Sequence, residues 1–213
     1  MRPTDSYLIT RARQVILALC ISLSLSAQVT DRDLLDAYRH EDMSVWKAYV
    51  DSVTGYGLRV TGDHLLYEYG YCGYIVAEAK KDGKESLQPE AKRYVKQFKQ
   101  HVESLKNQLP KGHYEMYQSA VYVYELRLHE SMHPFNAMSL AKEATKLAPN
   151  DPLVLSYYGT SLFYAPKPFG SKSDALKWFE KAKTYFGDEQ YTDCWVREAN
   201  EMYIRQCHDK LKK

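Results

Sequence analysis

Small and large side chains between residues 137 and 182 recur on a helical period, and this restricts the chain more than any other feature. Ala137, Ala141 and Ala144 are spaced by four and three, and Pro149 follows. At 3.6 residues per turn such positions share one face, and alanine or glycine there lets two helix backbones approach closely. Pro149 ends one helix, Asn150 and Asp151 are suited to cap the next, and Pro152 falls in its first turn. Leu155, Tyr158, Gly159 and Leu162 come next, and Ala175, Phe179 and Ala182 then repeat the four-three step. No two-residue alternation appears anywhere, so strands are not expected.

Weaker copies extend outward from the small residue of the first helix. Gly73, Ala120, Gly159 and Ala199 are 47, 39 and 40 residues apart. A large residue stands four before each (Tyr69, Met116, Leu155, Trp195), and Val76, Val123, Leu162 or Met202 stands three after. A second helix for the first copy carries Ala91, Val95, Phe98, Val102 and Leu105 on one face, and Trp195–Lys210 reads as an unpaired closing helix. Asp31–Val53 reads as one or two helices, and the glycines at 55, 57 and 62 mark a loop.

The segment 136–186 resembles the tetratricopeptide repeat, a pair of antiparallel helices crossing at small residues with a proline after the second. FYAPKPFGSKSDALKWFEKA, residues 163–182, is similar to the long loop and second helix of extracytoplasmic tetratricopeptide proteins of Gram-negative bacteria. The resemblance implies an all-α, right-handed α-solenoid of seven to nine helices over residues 28–213, clearest at 136–186, with a capping helix at about 190–211.

Residues 1–14 carry Arg2, Arg11 and Arg13, and the apolar run VILALCISLSLSA at 15–27 ends in Ser26 and Ala27. This is the pattern of a secretory signal peptide, 1–27, cleaved before Gln28. The run is shorter than the roughly 20 residues a membrane-spanning helix needs, so no span is expected in the mature chain. Export places that chain in the periplasm or outside the cell. Of 29 basic and 27 acidic residues, the leader takes three arginines and Asp5, leaving 26 of each. Such neutrality offers no long-range field for phosphates, so nucleic acid is not an expected partner. Cys72, Cys194 and Cys207 form no CxxC and read as buried free thiols.

One motif points to an enzyme. His129-Glu130-Ser131-Met132-His133 spells HExxH, in which two histidines one helical turn apart hold zinc and the glutamate activates water. Pro134 directly follows, which disfavours helical geometry at His133, and the motif falls where the repeat register places a turn. The expectation is therefore a polar helix end, with no metal, no cofactor and no catalytic residue. Glu68 and Glu125 lie among tyrosines on first helices; they are candidates for a functional role, and the plainer reading of each is a solvated or tyrosine-bonded helix residue.

Tyrosine is abundant, at 19 of 213 residues, and it is enriched where one end of a side chain is apolar and the other wet. In the tetratricopeptide family, first helices line the concave face. The resemblance therefore assigns partner contacts to Tyr74 beside Gly73, to Tyr117, Tyr124 and Glu125 around Ala120, to Ser156, Thr160, Phe163 and Tyr164 around Gly159, and to Asn200 and Tyr203 on the last helix. The function expected is a non-catalytic scaffold of the cell envelope that binds a protein or peptide. The alternatives are a zinc-dependent peptidase using residues 129–133 and a structural subunit of an envelope assembly.

Overall fold

The computed structural model describes residues 29–55, 59–129 and 134–212. All regular structure among them is helical: nine α-helices, two short 3-10 turns and no strand. Residues 1–27, where the sequence leads to the expectation of a signal peptide, lie outside the described residues. None of the described helices is long and apolar enough to cross a membrane. The chain divides into two compact units, the first running to Arg59 and the second from Val60.

The first unit holds α1 (Asp31–Arg39) and α2 (Met43–Gly55). Thr30 opens α1 with a reciprocal capping box: its backbone N–H donates to Asp33 at 2.8 Å, and the Asp33 N–H donates to its hydroxyl at 3.2 Å. The two helices are tied by the buried Trp46, whose indole N–H donates to the Leu34 carbonyl at 2.7 Å. Glu41, with φ of 57°, makes the turn between them.

The second unit holds α3 (Gly62–Glu78), α4 (Gln88–Leu105), α5 (His113–Arg127), α6 (Pro134–Leu147), α7 (Pro152–Tyr164), α8 (Lys172–Tyr185) and α9 (Trp195–Leu211). Each helix packs on the next in sequence, and α3, α5, α7 and α9 also touch one another in series. Gly62 is the first residue of α3, and Gly55 the last of α2, so of the three expected loop glycines these two sit in helices. Residue 57 is outside the described residues.

The small residues sit where helices cross. Ala91, Ala120, Ala141, Ala144, Ala175 and Ala182 are all buried. A Cβ on Gly159 would lie 2.7 Å from the Phe179 ring, so α7 and α8 meet at a distance only glycine permits. Around this crossing, Leu162, Phe163, Phe179, Ile204 and Cys207 form a core cluster joining α7, α8 and α9. Each large apolar side chain buried in this way contributes about 1.5–3 kcal/mol relative to exposure.

Buried polar groups link helices further. The Tyr157 hydroxyl donates to Ser119 Oγ at 2.7 Å, and Ser119 donates to the Ala137 carbonyl at 2.7 Å, which threads α7, α5 and α6 together. Asn200 Nδ2 donates to the Phe179 carbonyl at 3.0 Å and fixes α9 on α8. Asp151 caps α7, accepting from the Leu153 and Val154 N–H groups at 2.9 and 3.1 Å. In the α7–α8 connection a side chain at Gly170 would run into the Leu162 carbonyl, which accounts for the glycine of the Pro-Lys-Pro-Phe-Gly run.

Candidate functional site

The large residues of the first helices converge on a single ring. Tyr69 of α3 lies 6.2 Å from Tyr117 and 6.2 Å from Tyr124 on α5, 5.9 Å from Tyr157 on α7 and 5.9 Å from Trp195 on α9, measured between centroids. The Tyr124 hydroxyl donates to the Tyr69 carbonyl at 3.0 Å and lies 3.1 Å from where a Cβ on Gly73 would stand. Burial pushes the Tyr117 and Tyr124 phenols well above their ordinary range, and it raises Tyr157 to about 12 despite opposing hydrogen bonds from Ser119 and Ser161.

This hub corrects part of the expected partner face. Tyr117, Tyr124, Ser156, Phe163 and Asn200 are all interior. Tyr117 and Tyr124 turn toward Tyr69 on the preceding first helix and Phe98 on α4, Phe163 packs against Tyr203 on α9, and Asn200 bonds to α8. There they fill the space that the small residues leave. Gly73 makes room for the Tyr124 hydroxyl, so tyrosine abundance here serves the core.

The remaining expected residues are reachable from solvent. Tyr164 is 62 % exposed and Tyr74 39 %. Tyr203 is half-buried, stacked on Phe179 at 5.2 Å with its hydroxyl 3.3 Å from that of Tyr164. Glu125 accepts from Lys99 Nζ at 2.7 Å, and Thr160 donates to the Ser156 carbonyl at 3.0 Å. Tyr164 and Tyr203 are thus brought together, whereas Tyr74 packs near Tyr71 and Glu125 pairs separately.

Two aromatics outside the expected set join the exposed surface. Phe135 at the start of α6 and Phe169 in the α7–α8 connection are 68 % and 49 % exposed, with their rings edge to face at 5.4 Å. Lys172 Nζ donates to the Phe163 carbonyl, lies 3.5 Å from the Phe163 ring centroid and 5.9 Å from that of Tyr164. Desolvation, with repulsion from Lys210, lowers its pKa. The Pro-Lys-Pro-Phe-Gly run is the sequence signal for Phe169; Phe135, two residues before Ala137, falls on the side of the helix opposite the alanine face and carries no signal of its own.

The HExxH motif is only partly described. α5 ends at Arg127, and His129 has a left-handed φ of 60° with its Nε2 3.0 Å from Lys80 Nζ. Glu130, Ser131, Met132 and His133 lie outside the described residues. Glu143 on α6 pairs with Lys146 at 2.7 Å.

Glu68, expected to be solvated or tyrosine-bonded, is instead fully buried between histidines. His101 Nδ1 of α4 lies 2.8 Å from Glu68 Oε2, Gln97 Nε2 donates to Oε1 at 3.0 Å, and His64 Nε2 is 3.8 Å from Oε2. Burial lowers the His64 pKa against the opposing pull of Glu68, which favours a neutral ring. The four-residue step from His64 to Glu68 was legible as one helix face, but nothing in the sequence pairs that face with His101. Of the cysteines among the described residues, Cys72 and Cys207 are buried as expected, whereas Cys194, just before α9, is only half-buried, and no disulfide joins any two of the three. Burial raises the Cys72 and Cys207 thiols.

Comparison with family models, curated proteins and solved structures finds no significant match. Over its described residues the chain is an all-α protein of packed helices.

Proposed function

We propose that this chain is a non-catalytic scaffold that binds a protein or peptide segment, and that the contact surface lies at the α7–α8 connection and the facing side of α9. The observation that carries this is the exposure of large aromatics there, with Tyr164 62 % and Phe169 49 % open to solvent and the cation Lys172 5.9 Å from the Tyr164 ring. An exposed ring held by a rigid helix end is the kind of anchor that dominates interface energies. Tyr203 supports Tyr164 from below, and Lys172 suits a segment carrying an acidic group.

The tetratricopeptide-type solenoid belongs to the same proposal. It is supported by the small residues at the crossings and by the serial packing of α3, α5, α7 and α9. Export to the periplasm or cell exterior, with cleavage before Gln28, rests on the composition of residues 1–27. Site-specific photo-crosslinking in the cells that make the protein tests the surface. A photoreactive residue at 164 should give a discrete adduct with one partner segment, identified by mass spectrometry, and one at Gly187 should not. Equal labelling at both positions would remove the binding surface from the account.

A further inference from the structure

We propose that His64, Glu68 and His101 form a binding site for a divalent transition-metal cation of the zinc class, held between α3 and α4. The site is independent of the partner-binding surface and of the HExxH motif.

The donor set fits such an ion. His64 and Glu68 stand one turn apart on the same face of α3, and α4 carries His101 against them, so two imidazoles and one carboxylate converge from two helices. One ligand atom from each residue can be chosen so that all lie within 4.8 Å of one another. Zinc takes nitrogen and carboxylate oxygen at about 2.0–2.2 Å, which puts neighbouring donors of a tetrahedral site roughly 3.3–3.6 Å apart. The observed separations of 2.8 Å for His101 to Glu68 and 3.8 Å for His64 to Glu68 bracket that range. The third separation, between the two imidazoles, is within 4.8 Å, so binding draws the histidines together around a common centre.

The surroundings supply what a metal site needs beyond its ligands. Gln97 donates to Glu68 Oε1 at 3.0 Å and so orients the carboxylate, leaving Oε2 for the ion. The His64 and Glu68 side chains are 2 % and 0 % exposed, whereas His101 is 17 % exposed and gives the route from solvent. A cation balances a carboxylate otherwise fully withdrawn from water, a burial that is costly without a counter-charge. On binding, the Nδ1 position of His101 gives up any proton it carries to solvent and its lone pair turns to the metal. The fourth position is left for water on the His101 side.

The test uses the full chain, stripped with a chelator and titrated with ZnCl2 by calorimetry, with metal content read by mass spectrometry. The proposal expects about one zinc per chain. It also expects Glu68→Gln and His101→Gln, checked for native helicity by circular dichroism, to lose more than the roughly 10- to 100-fold that second-shell changes cost. His129→Ala should bind as the wild type does. Absence of zinc binding by the folded wild type, unchanged affinity in both folded variants, or loss of zinc in His129→Ala would each overturn it. If the two variants do not fold, Co2+ loading of the wild type decides. Visible bands of a four-coordinate nitrogen and oxygen site without a thiolate charge-transfer band support the assignment, and a thiolate band or a spectrum like the aqueous ion refutes it.

Discussion

The Phe179 ring occupies the space where a side chain on Gly159 would begin, with 2.7 Å between the ring and the position of that Cβ. Glycine inside a helix ordinarily costs up to about 1 kcal/mol relative to alanine, so Gly→Ala at an open helical position is expected to stabilise. At 159 the sign reverses, because the ring must move or the helices must part. Gly159→Leu is predicted to cost about 1–3 kcal/mol by overpacking, a fall in Tm of several degrees for a chain of this size. Gly187 has nothing within 4 Å of its Cβ position, and Gly187→Ala serves as the neutral control. Thermal unfolding of both variants checks this; an unchanged midpoint for Gly159→Leu would mean that α7 and α8 do not cross there.

Asp151 joins a helix cap to a cross-helix ion pair. Its carboxylate accepts the Leu153 and Val154 N–H groups and lies 2.8 Å from His113 Nε2. Burial acts to raise its pKa, but the His113 bond and charge together with the two backbone donors hold it below the ordinary value. A depressed folded-state value means that the stabilisation is present above the unfolded carboxylate range, near about 3.9, and is lost as pH falls through the lower folded value. Asp151→Ala is predicted to lose about 1 kcal/mol at neutral pH through the missing cap. Asp151→Asn should keep most of the cap and flatten the acid limb of the stability curve. Urea unfolding at a series of acidic pH values distinguishes the two.

The Tyr157–Ser119–Ala137 chain of hydrogen bonds is buried throughout. Removing the phenol hydroxyl leaves Ser119 still donating to Ala137, so Tyr157→Phe is predicted to cost about 0.5–1.5 kcal/mol. Ser119→Ala removes both bonds, taking the Ser119 partner from the buried Tyr157 hydroxyl and the side-chain donor from the Ala137 carbonyl, and it is predicted to cost more than Tyr157→Phe. Equal costs would show that water replaces the serine.

Much of the helical layout was legible because small residues at crossings leave a local trace. Ala137, Ala141 and Ala144 mark one face of α6 by spacing alone, Ala175 and Ala182 one face of α8, and Gly159 the crossing side of α7, while Asp151 with Pro152 marks a helix start. The positions of Tyr117, Tyr124 and Phe163 were not legible. A tyrosine on a first helix reads the same whether it meets a ligand or the next helix. The difference is set by how closely α3, α5, α7 and α9 gather around Tyr69, which no local pattern encodes. Tyr69 and Trp195 share the same offset from their small anchors, yet they are 126 positions apart in the numbering, and their approach to 5.9 Å depends on every helix between them. The pairing of His101 with His64 and Glu68 was hidden for the same reason.

Tyr124, interior beneath Tyr69, is unsuited to a binding test, because Tyr124→Ala would report on stability. The exposed Tyr164 is suited to one. The most direct measurement is the Kd of the segment crosslinked at position 164, for the wild type and for Tyr164→Ala with native helicity confirmed. The account predicts weakening by about 30-fold, equivalent to an anchor worth about 2 kcal/mol. An unchanged Kd in a folded Tyr164→Ala protein would contradict it.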